Sequence, residues 1–439
     1  MPIDYNKALE KLSSIGQPEL LTHWDTLTFQ EKADLLQDIA NLDLQSLEVQ
    51  KQMLVRKEPE NRSWEPFSQF SILGNKEDVE RGKELIAEGT VGVMIIAGGQ
   101  GTRLRFNGPK GMFPITPITH KSLFEWFCER IRVISAKVGR PLPLAIMTSP
   151  LNDSITQTYF QEHNFFGLRP SQVYFFSQQM LPFLDEEGKL FLNKKGSIAN
   201  GPDGNGYSLR YFENQGLWEK WQDLGVAYLN YILVDNPLAD PFDAELIGFQ
   251  DRHHAEIAIK SILRQDENEK VGVIVQNKQQ ISVVEYSEFP PQESHARDSL
   301  GHLKYPCANL SLYSFRMDFV KKSAQIELPL HKALKNTAGI NRDEYAWKFE
   351  RFIFDLLPHA KNVQTLVYPR EECFAPLKNF SGKDSLTSVQ EALQKDADRR
   401  FKAATGKEPP PHPYELDQQL YFLSYWAAMR SGGDGPSSY

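Results

Sequence analysis

Cysteine is scarce in this chain: three in 439 residues, at Cys128, Cys307 and Cys373. An odd number so widely spaced builds neither a disulfide framework nor a four-ligand zinc site, and it fits a reducing, cytoplasmic setting. No apolar run is long enough to cross a bilayer, and the opening Met1-Pro2-Ile3-Asp4 lacks the architecture of a signal peptide. Lysine and arginine never form a block and the formal net charge is -8, which disfavours nucleic acid and anionic membranes as partners. No internal repeat is present. The paired His253-His254 has no carboxylate or cysteine at ligand spacing nearby and reads as surface.

What is present is an ordinary globular balance, 41% hydrophobic and 24% charged, with length for one large core plus smaller additions. The informative stretch is Val91-Gly92-Val93-Met94-Ile95-Ile96, an apolar, largely β-branched run that predicts a buried parallel strand. Ala97-Gly98-Gly99-Gln100-Gly101-Thr102-Arg103-Leu104 follows, then Gly108-Pro109-Lys110-Gly111-Met112. Glycines so close together allow positive-φ turns and bring bare N–H groups up to an anion. Arg103 and Lys110 add charge at loop spacing. Strand, glycine turn and cation together predict phosphate binding. The dinucleotide fingerprint does not fit, because Leu104 stands where its third glycine belongs. The P-loop does not fit either, since Lys110 is followed by Gly111 rather than Ser or Thr.

An apolar strand, then G-G-x-G-T-R-L, then P-K, resembles the signature of the nucleotide-sugar pyrophosphorylases, and most closely that of the UDP-N-acetylhexosamine pyrophosphorylases. The resemblance implies uridylyl transfer from UTP to N-acetylglucosamine 1-phosphate, giving UDP-N-acetylglucosamine and pyrophosphate, with Mg²⁺ as cofactor. Other hexose 1-phosphates, or a nucleotide-sugar-binding regulator without chemistry, remain open. The nucleotide would lie against Ala97, Gly98, Gly99, Gly101 and Thr102, with Arg103 and Lys110 on the β- and γ-phosphates. The family departs from this chain at Arg105, where it commonly has glycine, and at Tyr207, where a further glycine is more usual.

Downstream the pattern alternates. Two helix starts read as capping boxes, Thr28 to Glu31 and Ser122 to Glu125, and the stripe Leu123, Phe127, Ile131 and Ile134 marks the second helix. Leu144–Met147, Val173–Phe176 and Ala227–Val234 predict strands, with a helix over Asn152–His163. The expected fold is α/β: a doubly wound, mixed, mainly parallel sheet of the nucleotide-diphospho-sugar transferase type. A helical arm over 1–85 precedes a catalytic domain over 86–379, and a small helical extension covers 380–439 with a disordered tail. Ligands then gather at the carboxyl ends of the strands.

Asp235, ending one such run, is positioned either to hold Mg²⁺ against phosphate or to cap a turn before Pro237. The resemblance favours the metal. It also implies that Gln178 hydrogen-bonds the uracil edge and that Gly204 contacts the base. For the sugar it implies Asn205, Gly272, Glu285, Tyr286, Asn309, Phe352 and Phe354, the last two bordering the acetyl group. Lys378, in Pro376-Leu377-Lys378-Asn379, would reach the phosphates as a catalytic cation. A monomer or weak homo-oligomer is expected.

Overall fold

The protein, as a computed structural model, is described for residues 3–55, 64–194, 196–277, 280–339, 342–417 and 419–420, with backbone alone for 336–339 and 342–344. Most of 415–439, including the expected tail, therefore lies outside the described residues. The chain divides into two compact units: residues 1–62, 178–207 and 327–352 form one, and 63–177, 208–326 and 353–439 the other.

The larger unit is built on one sheet, and we number its main strands in chain order: β1 Val91–Ile96, β2 Leu144–Thr148, β3 Val173–Ser177, β4 Tyr228–Leu233, β5 Ile257–Leu263, β6 Gly272–Asn277, β7 Gln280–Val284, β8 Cys307–Arg316 and β9 Val363–Val367. Across the sheet the order is Ser71–Ile72, β9, β5, β8, β4, β1, β2, β3. β4, β1, β2 and β3 pair in parallel, as do β5 and β9. The long β8 enters between β4 and β5 and is antiparallel to both. β4, β5 and β9 thus point the same way, and their carboxyl ends share one edge with those of β1 and β2. The hairpin β6–β7 branches from β8.

The apolar composition of β1 follows from its central place: Val91, Val93, Met94 and Ile95 are completely buried. Helix Leu123–Val138 covers the sheet with the predicted stripe, and Leu123, Phe127, Ile131 and Ile134 are all buried. Its start is capped by Ser122 Oγ, which accepts from the Glu125 N–H at 3.1 Å. Glu65–Pro66 pairs antiparallel with β6, Glu65 opposite Gln276 and Pro66 opposite Val275.

The C-terminal extension is helical as expected, over Leu386–Thr405, and it packs Val389 and Leu393 into the same core as the sheet. Asp396 on this helix is buried beside Arg130, Arg399 and Arg400. Burial pushes its carboxyl up, yet Arg400, Arg399 and Arg130 outweigh that and hold it at about 2. A depressed carboxyl stabilises the fold above the usual carboxylate range and loses that contribution as pH falls through its folded value. Unfolding followed from pH 7 downward should therefore show docking of this helix weakening between about pH 4 and about pH 2. Asp396→Asn should destabilise the protein at neutral pH by about 3–5 kcal/mol, because it leaves Arg130 buried without its counter-charge. An unchanged denaturant midpoint in that variant would contradict the assignment.

The smaller unit gathers helices Tyr5–Ser14, Phe29–Asn41 and Leu44–Val55 around Leu181, Leu184, Leu190, Leu192 and Ile198. The Thr28 capping box is complete, each of Thr28 and Glu31 receiving the other's backbone N–H. A long hairpin, His331–Gly339 against Arg342–Glu350, belongs here too, and Leu184 bridges to Trp347. The arm expected over 1–85 is thus shared out: residues up to 62 lie in this unit, whereas helix Lys76–Ala87 lies in the other.

Candidate functional site

Beyond β1 the backbone folds into a closed loop. Gly101 N–H donates to the Gly108 carbonyl at 2.9 Å, and Lys110 N–H donates to the Gly99 carbonyl at 3.1 Å. The next strand end braces it: Ser149 Oγ donates to the Gly98 carbonyl at 3.0 Å, and buried Asn152 Nδ2 donates to the Ala97 carbonyl at 3.0 Å. With its carbonyls held behind, the loop turns its donors outward. Among the described residues the N–H groups of Gly98, Gly99, Thr102 and Arg103 make no hydrogen bond, and Gly99, Thr102 and Arg103 are exposed. Such a row of unpaired amides suits an anion.

The glycines do this differently from the sequence expectation. None of Gly98, Gly99 and Gly101 has positive φ; the left-handed position is Arg105, at φ 55°. Gly101 is required by close approach, since a Cβ there would lie 2.9 Å from Phe106 Cβ. A Cβ at Gly99 would meet nothing within 4 Å, so that position presents bare backbone to open space. Arg105 turns its guanidinium over the exposed Phe380 ring, 4.3 Å from the centroid, instead of joining the row of amides.

Lys110 and Asp235 meet in front of this loop, Nζ to Oδ2 at 3.1 Å. Burial raises the Asp235 carboxyl, but the charges of Lys110 and then Lys378 outweigh it and hold the group below its usual range. Lys378, 268 positions beyond Lys110 in sequence, is therefore an electrostatic neighbour of the same carboxylate. Its turn is fastened on both sides. Leu377 N–H donates to the Asp235 carbonyl at 2.7 Å, and the N–H groups of Lys378 and Asn379 share the Asp384 carbonyl at 2.7 and 2.9 Å. Buried Asn236 adds a second tie: its Nδ2 donates to the Cys373 carbonyl at 2.8 Å and its Oδ1 accepts from the Ala375 N–H at 3.0 Å.

A second cluster forms where β6, β7 and β8 meet. Gly272 pairs with Asn309 across the strands, and a Cβ on Gly272 would lie 3.3 Å from Glu285 Oε1 and 3.5 Å from Asn309 Cβ. β7 ends at Val284, so Glu285 and Tyr286 sit just past the strand, and Tyr286 is half exposed. Asn309 is buried, and its Oδ1 accepts from the Tyr313 hydroxyl at 2.6 Å and from the Ser311 N–H at 3.1 Å. Phe354 is fully buried in the turn Ile353–His359.

Gln178, Gly204, Asn205 and Phe352 belong to the smaller unit. Gln178 is buried there. Gly204 has φ 91° and runs beside Arg351, where a Cβ would approach the Arg351 carbonyl to 2.3 Å, so glycine is required. Gly206 N–H donates to that carbonyl at 2.9 Å and Arg351 N–H to the Asp203 carbonyl at 2.7 Å, which places Asn205 on a laced turn. Tyr207, at the family's glycine position, donates to Glu327 at 2.6 Å and stacks its ring under Arg351.

The structure thus joins the amide loop, Lys110, Asp235 and Lys378, and separately Gly272, Glu285 and Asn309. Arg103 extends from the loop's exposed turn and makes no hydrogen bond or ion pair among the described residues. Ser149, Asn152 and Asn236 escaped the sequence reading; what could have found them is their place directly after predicted strands. Among the described residues no group of three or more His, Cys, Asp or Glu could hold a metal by itself. No described helix is long and apolar enough to cross a membrane.

Residues 43–414 match the family described as UTP–glucose-1-phosphate uridylyltransferase. A UDP-N-acetylglucosamine diphosphorylase 1 from Arabidopsis thaliana is 34% identical over 401 residues, covering 86% of this chain and 79% of that protein. The UDP-N-acetylglucosamine pyrophosphorylase of Saccharomyces cerevisiae is 31% identical, covering 84% of each. Among solved structures, the uridine diphosphate N-acetylglucosamine pyrophosphorylase from Trypanosoma brucei in complex with inhibitor superposes with a TM-score of 0.80. It is 27% identical, and the match covers 91% of this chain and 86% of that one.

Proposed function

Since the chain belongs to the UTP–glucose-1-phosphate uridylyltransferase family, we propose that it makes UDP-N-acetylglucosamine and pyrophosphate from UTP and N-acetylglucosamine 1-phosphate. The observation that carries the mechanism is the convergence of Lys110, Asp235 and Lys378 beside unpaired loop amides.

In this reaction a phosphate oxygen of the sugar phosphate attacks the α-phosphorus of UTP. The bond from that phosphorus to the bridging oxygen breaks, and pyrophosphate leaves with the electron pair. No protein nucleophile is needed, and the sugar's anomeric C–O bond persists. What the protein must do is align two anions that repel each other and stabilise charge at phosphorus and on the leaving group. The amides of Gly98, Gly99 and Thr102 serve the triphosphate without further ordering, because Asn152 and Ser149 already hold the loop. Arg103 and Lys110 neutralise the departing β- and γ-phosphates. Lys378 stands between the α-phosphate and the incoming sugar phosphate. Within the larger unit Gly272, Glu285, Tyr286, Asn309 and Phe354 are assigned to the sugar; within the smaller one, Gln178 and Gly204 are assigned to the uracil and Asn205 and Phe352 to the sugar.

Asp235 suits Mg²⁺: a hard oxygen donor kept ionised, in a place where phosphate oxygens would complete the coordination. Bound there, the cation would supply Lewis-acid stabilisation of phosphoryl charge.

The test is release of pyrophosphate from UTP with each of N-acetylglucosamine, N-acetylgalactosamine and glucose 1-phosphates in competition. Fastest turnover with N-acetylglucosamine 1-phosphate is expected. No release with any of them would overturn the enzymatic reading, and preference for glucose 1-phosphate would overturn the sugar.

A further inference from the structure

Asn309 carries an amide whose two ends are chemically opposite, one accepting and one donating. Here the choice between them is forced. The Ser311 backbone N–H can only donate, so the atom 3.1 Å from it must be the carbonyl oxygen of the Asn309 side chain. The Tyr313 hydroxyl, 2.6 Å from the same oxygen, supplies a second donor to it. With Oδ1 doubly held, Nδ2 is left as the outward end, and among the described residues it makes no hydrogen bond.

The local backbone is arranged for this. Opposite β5 the register shifts between Lys260 and Ser261, so that Asn309 pairs with Ser261 but Leu312 with Lys260. Leu310 and Ser311 are the two residues left over at this step, and Ser311 takes φ 54°, a left-handed conformation that is strained for a serine. A bulge of this kind re-aims a side chain. Its effect is to turn the Ser311 N–H and the Tyr313 hydroxyl onto one atom. Tyr313 itself is buried in a row with Tyr231 and Phe315, ring centroids 5.9 and 5.5 Å away, so its hydroxyl has little freedom to move.

We infer that Tyr313 is a specificity-setting positioning residue: by fixing the Asn309 amide, it makes this corner of the site a hydrogen-bond donor toward the sugar's C2 substituent. This rests on the functional reading that Asn309 faces the sugar. A donor amide there pairs with the carbonyl oxygen of an acetamido group. Glu285, within reach of the same Gly272 α-carbon, is an acceptor and suits hydroxyls instead. A C2 hydroxyl can accept as well, but its oxygen is held two bonds closer to the ring than an acetamido carbonyl oxygen, so a donor fixed to meet the longer substituent separates the two.

Calorimetric binding of UDP-N-acetylglucosamine and of UDP-glucose to the full chain, with Mg²⁺, tests this without requiring turnover. The wild type should prefer the acetamido ligand. Tyr313→Phe removes one oxygen, leaves the ring in place, and should cut that preference about tenfold, by weakening UDP-N-acetylglucosamine while UDP-glucose binds as before. Asn309→Asp keeps the shape and the two donors but turns a carboxylate oxygen outward, and it should abolish the preference. A wild type without preference, Tyr313→Phe with the full preference, or Asn309→Asp with the full preference would each overturn the inference. Should Tyr313→Phe fail to fold, Asn309→Asp decides. Failure of the underlying activity shows separately, as absent pyrophosphate release in a chain that still binds the UDP-sugars.

Discussion

Lys378→Ala should lower turnover by about a thousandfold, some 4 kcal/mol of transition-state stabilisation, while UTP binds nearly as before. The asymmetry follows from geometry. In the proposed mechanism the triphosphate in its ground state is served by the loop amides, Arg103 and Lys110, all on one continuous segment after β1. Lys378 comes from a turn after β9 and reaches the group through the Asp235 carboxylate, whose ionisation both lysines favour. In that mechanism its ammonium meets the charge that grows as the two substrates close on each other. A loss confined to kcat marks an interaction made in the transition state, whereas Lys110→Ala should damage binding and rate together. Single-turnover measurement with saturating UTP separates the two. Wild-type turnover in Lys378→Ala would remove the lysine from the mechanism.

Asp235→Asn should cost about a hundred- to a thousandfold in rate and raise the Mg²⁺ concentration needed for half-maximal activity. Two roles are possible for this carboxylate, and the metal titration divides them. As a ligand, its loss weakens the cation, so added Mg²⁺ recovers part of the rate. As a mere counter-ion for Lys110, its loss frees the ammonium and leaves the metal requirement where it was. The carboxyl lies below its usual range, so it should begin to protonate at a lower pH than an ordinary carboxylate does. Unchanged activity and unchanged Mg²⁺ dependence in the variant would exclude both roles.

The parts of this site that were legible in the sequence are those written by local rules. The run Val91–Ile96 is apolar at every position because it is the middle of a parallel sheet, and the loop after it shows in its glycines. Helices with caps and stripes, such as Leu123–Val138 and Leu386–Thr405, are likewise local. What escaped depends on partners distant in the chain. Nothing in Cys307–Arg316 says that it runs antiparallel between two strands of the opposite sense. Segments 1–62, 178–207 and 327–352 share a unit only because the folded chain brings them together. Asn152 and Asn236 look like ordinary turn formers, since an asparagine near proline is common in loops. Their importance lies in the carbonyls they hold, 53 to 55 and 137 residues away. The left-handed position was assigned to the glycines by propensity, yet it falls on Arg105, where the Phe380 contact and the closed loop hold the backbone.

The turn bearing Lys378 has two anchors, and they are made at different times as the polypeptide emerges from the ribosome. Asn236 and the Asp235 carbonyl are synthesised early and can wait. The Asp384 carbonyl comes a few residues after the lysine, and Ser385 then opens the helix whose apolar side must dock before that corner is steady. A nascent chain that has just exposed Asn379 therefore owns every charged group proposed for the reaction and still lacks the support for one of them. Catalytic competence would arrive late in translation, as a final act of folding, rather than with the nucleotide loop that defines the protein.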